Sequence, residues 1–111
     1  MDTKQTLSEF QTFLAAKGRT ASTQDGYQRN LKPYLEWCEG KDIDPQYAKR
    51  KDLRAYSEHL TALYGDKPYT LCVRVRSVKA YYRYLKQSGV IVSSPADHLT
   101  EPNTRHLLPR N

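Results

Sequence analysis

Nine tyrosines, two cysteines and three histidines are the side chains of this 111-residue sequence that could support nucleophilic, metal or acid–base chemistry. Their spacing argues against all three. Cys38 and Cys72 form no C-x-x-C pair and have no His pair beside them, so they do not make a zinc site. Both fall inside predicted helices and read as buried free thiols. His59, His98 and His106 are scattered and read as ordinary surface or satisfied histidines. A Gly-rich phosphate loop, G-x-S-x-G, H-E-x-x-H and closely paired carboxylates in apolar surroundings are all missing. Asp42 and Asp44 stand beside Gly40 and Lys41 and read as a solvated turn. The sequence calls for no cofactor, no metal and no catalytic residue.

What remains is charge. The formal net charge is +6 and the isoelectric point about 9.4. Residues 70–111 hold seven Lys/Arg against two Asp/Glu, which is +5 of that +6. A basic balance of this kind suits a polyanion, and nucleic acid is the commonest one. Tyr69 and Thr70 open a predicted helix, where a hydroxyl and free helix N–H groups meet a phosphate well. Further along that helix the polar residues split. Arg76, Lys79, Arg83 and Lys86 form a basic flank, while Val73, Arg74 and Ser77 form a mixed face. Charge alone favours the flank, and base readout, which needs short side chains as well as cations, favours the mixed face. Composition and spacing leave the choice open.

The elements that must position these residues are helical. Hydrophobic residues make up 38% and mean hydropathy is −0.83, yet the apolar residues recur at helical spacing, which argues against disorder. A first helix is predicted over residues 7–17, with Leu7, Phe10, Phe13 and Leu14 on one face, a Thr6/Glu9 capping box and Gly18 as its stop. A link over 19–22 leads to a second, 23–39, capped by Ser22 with Asp25 and striped by Tyr27, Leu31, Tyr34, Leu35 and Cys38. Pro33 should kink it at a cost of roughly 3 kcal/mol. After a loop over 40–48, a third helix, 50–64, carries Leu53, Tyr56, Leu60, Leu63 and Tyr64. A fourth, 69–87, carries Leu71, Val75, Val78, Tyr82 and Leu85 and stops at Gly89. Tyr27, Tyr34, Tyr56 and Tyr82 fall in these stripes, where a ring packs and its hydroxyl reaches the rim. Pro95 opens one further helical turn, 95–100. Residues 1–6 read as an arm, 7–100 as one domain and 101–111 as a linker. No run approaches the roughly 20 apolar residues of a membrane helix, and the start lacks a signal peptide, so the chain reads as cytoplasmic.

Taken in order, these residues resemble a family. Thr23 to Tyr27, Asn30-Leu31, Tyr34-Leu35-Glu36-Trp37 and Asp52-Leu53-Arg54-Ala55-Tyr56 with Leu60 are similar to the pattern of tyrosine recombinases. The run from Thr70 to Leu85, then Gly89, Ser94-Pro95-Ala96, Pro102 and Leu108-Pro109-Arg110, carries the likeness through nearly the whole chain. It resembles the N-terminal core-binding domain of phage integrases and Xer-type enzymes.

The resemblance implies an all-α, SAM-like bundle of four main helices, half of a clamp around duplex DNA. It implies that the second and fourth helices face the major groove. The cleaving residues of such enzymes lie in a separate C-terminal domain, so no tyrosine here aligns with the nucleophile. Carried over by position, the DNA-facing set is Ser22, Thr23, Thr70, Val73, Arg74 and Ser77, with Lys79 as a phosphate contact and Arg29 and Tyr69 beside them. This selects the mixed face, and leaves Arg83 acting only through the general field. The implied partners are double-stranded DNA, a C-terminal catalytic domain and other recombinase protomers in a synaptic complex, with no membrane. The rival readings are a free-standing helical DNA-binding regulator and a protein-interaction bundle.

Overall fold

Periodicity of 3.6 throughout the sequence has one economical outcome, helices packed on helices, and the computed structural model of the chain describes residues 3–100 in that arrangement. Among the described residues there are four α-helices, α1 (Thr3–Ala16), α2 (Ala21–Gly40), α3 (Arg50–Tyr64) and α4 (Pro68–Gln87), with a 3-10 turn over Pro45–Tyr47 and no strand. The bundle is all-α with four main helices, as the resemblance implies.

The ends of the helices differ from their sequence-predicted positions for local reasons. α1 begins at Thr3, so residues 3–6 are helix rather than arm, and Thr6 lies too far inside to cap. α2 begins earlier because Thr20, not Ser22, is its N-cap: the Thr20 side chain accepts from the Thr23 N–H at 3.2 Å. Pro33 is accommodated within α2, which runs on to Gly40. At α3 the Lys49 N–H donates to the Asp52 carboxylate at 2.8 Å, replacing the cap that Lys49 itself lacks. Residues 95–98 turn without forming helix, held by Ala96 N–H on the Ser94 hydroxyl and Leu99 N–H on the Ala96 carbonyl. The linker expected over 101–111 lies outside the described residues.

Gly18 and Gly89 end α1 and α4 with positive φ, 77° and 78°. At Gly18 the geometry is a Schellman turn: its N–H reaches the Ala15 carbonyl and the Arg19 N–H reaches Leu14. That turn leaves Lys17 and Arg19 on either side of the glycine.

α4 is the central element, packed against α1, α2 and α3. It buries Cys72, Val75, Ser77, Val78, Ala80, Tyr81, Tyr82 and Leu85, a ring of positions rather than a stripe. Around it lie Phe10 and Leu14 of α1, Leu31, Tyr34, Leu35 and Cys38 of α2, and Leu53, Tyr56 and Leu60 of α3. Tyr27 is half-buried against this core, Tyr81 joins it, and Leu63 is 54% exposed and stands outside it.

Two core tyrosines keep their hydroxyls inside rather than at the rim. Tyr82 Oη donates to the Pro45 carbonyl at 2.9 Å and lies 2.5 Å from Tyr34 Oη. A carbonyl cannot donate and Tyr82 has one proton, so Tyr34 must donate to Tyr82. Burial raises the pKa of both phenols and pushes the Cys38 thiol, bonded to Tyr34, up to about 11, which keeps it protonated and inert. The chain of bonds ties α2 and α4 to the loop before α3. Tyr82→Phe removes the middle of the chain and should cost about 1–3 kcal/mol in urea unfolding, as for a buried group left without its partner. Tyr34→Phe leaves Tyr82 bonded to Pro45 and should cost less. The reverse order would mean that Tyr82 does not donate to the Pro45 carbonyl.

Candidate nucleic-acid interface

The N-terminal halves of α2 and α4 lie side by side and leave a cleft of about 300 Å³ between them. Thr23, Gly26, Tyr27 and Asn30 line it from α2, and Tyr69, Val73, Arg76 and Ser77 from α4. Four residues proposed from sequence, Thr23, Tyr69, Val73 and Ser77, therefore meet in one place. Ser22 and Thr70 are their chain neighbours.

The chemistry of the cleft is set by which groups are open. Tyr69 is 58% exposed, so its hydroxyl is open to a partner. α4 has no side-chain cap and begins with Pro68, and the Tyr69 and Thr70 N–H groups find no acceptor among the described residues. A helix start with unpaired N–H donors suits an anion. Ser77, by contrast, is 2% exposed and its hydroxyl donates to the Val73 carbonyl at 2.9 Å. It shapes the floor of the cleft with a satisfied group. On α2, Asn30 donates to the Gly26 carbonyl at 2.8 Å, and Arg29 is exposed and paired with Asp25 one turn back.

Arg74 and Lys79 are engaged elsewhere. The Arg74 guanidinium lies 5.6 Å from the centroid of the Tyr64 ring on α3, with its Nε enclosed and unpartnered. Lys79 is half-buried and donates to the Leu99 carbonyl at 3.0 Å, bracing the segment after α4. The cation at the cleft is Arg76, an exposed residue of the basic flank. Sequence reasoning placed it on the face it did not choose. Spacing along the sequence gives α4 its flank and its mixed face but not its neighbours, and a helix packed on three others has only a narrow strip left open, which here carries Arg76, Arg83 and Lys86.

The molecule is thus an all-α bundle with a polar cleft between two helix starts and a cation in its lining. Residues 7–89 match the model of the phage integrase N-terminal SAM-like domain, and the chain belongs to that family. It is similar to the tyrosine recombinase XerC of Leptospira interrogans, 25% identical over 96% of this chain and 35% of the relative. It is similar also to XerC of Pseudomonas putida, 32% identical over 79% of this chain and 29% of the relative, and to XerD of Rhizobium meliloti, 26% identical over 86% and 30%. The chain thus spans about a third of the length of the relatives it matches. No solved structure matches it. No helix among the described residues is long and apolar enough to cross a membrane.

Proposed function

We infer that the chain is the core-binding part of a tyrosine recombinase or integrase, gripping duplex DNA during site-specific recombination or integration. The cleft between the starts of α2 and α4 carries the reading. It gathers Thr23, Tyr69 and Val73, with Ser22 and Thr70 beside them, around the cationic Arg76 and the uncapped N–H groups of α4. Hydroxyls and amides on one helix start fix a phosphate, while Val73 and the neighbouring short side chains suit base edges in a groove. Arg29, next in the chain to Asn30, and Arg74, next to Val73, are further cations. Cutting and rejoining belong to a catalytic domain outside this chain, and other protomers complete a synaptic complex. The setting is cytoplasmic.

The reading predicts salt-sensitive duplex binding without chemistry. If four to six phosphates are neutralised, log K against log salt should slope at roughly −4 to −5 in a fluorescence-anisotropy titration. Suicide DNA substrates run on a denaturing gel should give no covalent protein band. A flat salt response removes the DNA reading and leaves the protein-interaction bundle. A covalent band lost on changing one tyrosine to Phe would show that the chain cuts DNA itself.

A further inference from the structure

A second concavity lies across Tyr27 from the first cleft. It measures about 210 Å³ and is lined by Phe13, Leu14 and Lys17 of α1 and its end, Arg19, Tyr27 of α2, and Ala80, Arg83 and Gln87 of α4. Three of its lining residues are cations and none is acidic. None of the three pairs with a carboxylate among the described residues. Two of them flank Gly18, whose positive φ and Schellman bonds fix the turn, and the Arg19 carbonyl accepts from Gln24 Nε2 at 2.8 Å, tying that turn to α2. The Lys17 ammonium lies 5.6 Å from the centroid of the Phe13 ring, at the wall of the hollow. Arg83 reaches the same hollow from α4, with the Gln87 amide one turn on.

Like charges are brought together at this hollow by separate elements with no anion between them, an arrangement that an incoming anion relieves. We propose that Lys17, Arg19 and Arg83 form a phosphate site separate from the α2–α4 cleft, which takes a phosphodiester of the duplex backbone. This rests on the DNA reading above. Because Tyr27 borders both hollows, one strand can pass from the cleft to this site along the edge of α2. Arg83 then acts as a specific contact rather than as a solvated charge.

The test compares Lys17→Gln/Arg83→Gln with Lys32→Gln/Lys51→Gln, which removes the same charge from exposed positions elsewhere. Both should stay folded by circular dichroism. The first pair should weaken duplex binding at least about fivefold more than the second and make the salt slope shallower by about 0.9, one phosphate. Equal losses in the two variants overturn the site. Inorganic pyrophosphate gives a reading independent of DNA. In amide NMR of the unchanged chain it should shift residues 17–19 and 83–87, and the shifts should vanish in Lys17→Gln/Arg83→Gln. Pyrophosphate shifts in a chain that ignores duplex DNA would sink the DNA reading and keep the phosphate site. No shifts at these residues overturn the site.

Discussion

Truncating Phe10 to alanine should remove about 3–5 kcal/mol of stability, the usual cost of emptying an aromatic core position. The ring is fully buried and meets Tyr81 edge-on at 5.8 Å, with Tyr27 at 6.2 Å and Tyr84 at 5.7 Å between centroids. It is the point at which α1 joins both α2 and α4. A domain of this size has about 5–15 kcal/mol in total, so the loss is a large part of it. The other ties of α1, among them the buried Leu14, Phe13 against Tyr84 at 4.8 Å and Gln28 Nε2 donating to the Leu7 carbonyl at 3.0 Å, hold the helix in place but do not fill the space the Phe10 ring leaves. Urea unfolding followed by circular dichroism should show a lowered midpoint with little change in slope. Phe10→Leu, which keeps most of the volume, should lose clearly less. A loss under about 1 kcal/mol for Phe10→Ala would mean that α1 does not pack on α4 as described, because no well-filled aromatic site collapses that cheaply.

How much of this was legible in the sequence depends on whether a feature is local. The stripes on α2 and α3 name Leu31, Tyr34, Leu35, Cys38, Leu53, Tyr56 and Leu60, all of which are buried. Gly18 and Gly89 mark helix ends because the positive φ they adopt is a property of the residue itself. The N-cap of α2 was misplaced from Thr20 to Ser22 because adjacent Thr and Ser residues offer equal capping chemistry, and only backbone geometry chooses between them. Tyr81 was missed because it lies off the stripe of α4, and its burial depends on α1 lying across that side. The hydrogen bond from Tyr82 to Pro45 joins residues far apart in the chain, and periodicity carries no information about such pairs. The candidate cleft was half legible. Thr23, Tyr69, Val73 and Ser77 line one cleft, Ser77 from its buried floor, whereas Arg76 was set aside with the basic flank. A wheel gives the angle of a side chain about its own helix. It does not say how much of that circumference the neighbouring helices cover.

Arg76→Ala should weaken duplex binding several-fold more than Arg74→Ala, and this comparison decides which side of α4 meets DNA. The family resemblance implies Arg74, and the packing favours Arg76. The guanidinium of Arg74 is half-buried over the Tyr64 ring and faces the buried Tyr56 phenol, whose burial-raised pKa it pulls back down. Reaching a phosphate from there means leaving a stacking contact of about 0.5–1 kcal/mol, which offsets part of what the new contact returns. Arg76 is exposed at the cleft with Tyr69 and Thr23, and its guanidinium donates to the Cys72 sulfur one turn back at 3.5 Å, a weak bond that a phosphate can replace. Loss of an arginine contact to phosphate or guanine costs about 1–3 kcal/mol, or about 5- to 150-fold in affinity. The full effect is therefore expected at Arg76 and a fraction of it at Arg74. Thermal melting separates the two roles. Arg74→Ala should lower the melting temperature, because it uncovers Tyr64 and Tyr56, while Arg76→Ala should leave it nearly unchanged. Anisotropy titrations at one fixed salt concentration read the binding side. A larger loss for Arg74→Ala would place the groove on the face toward α3, as the resemblance implies. Equal losses would mean that diffuse charge, rather than the cleft, holds the DNA.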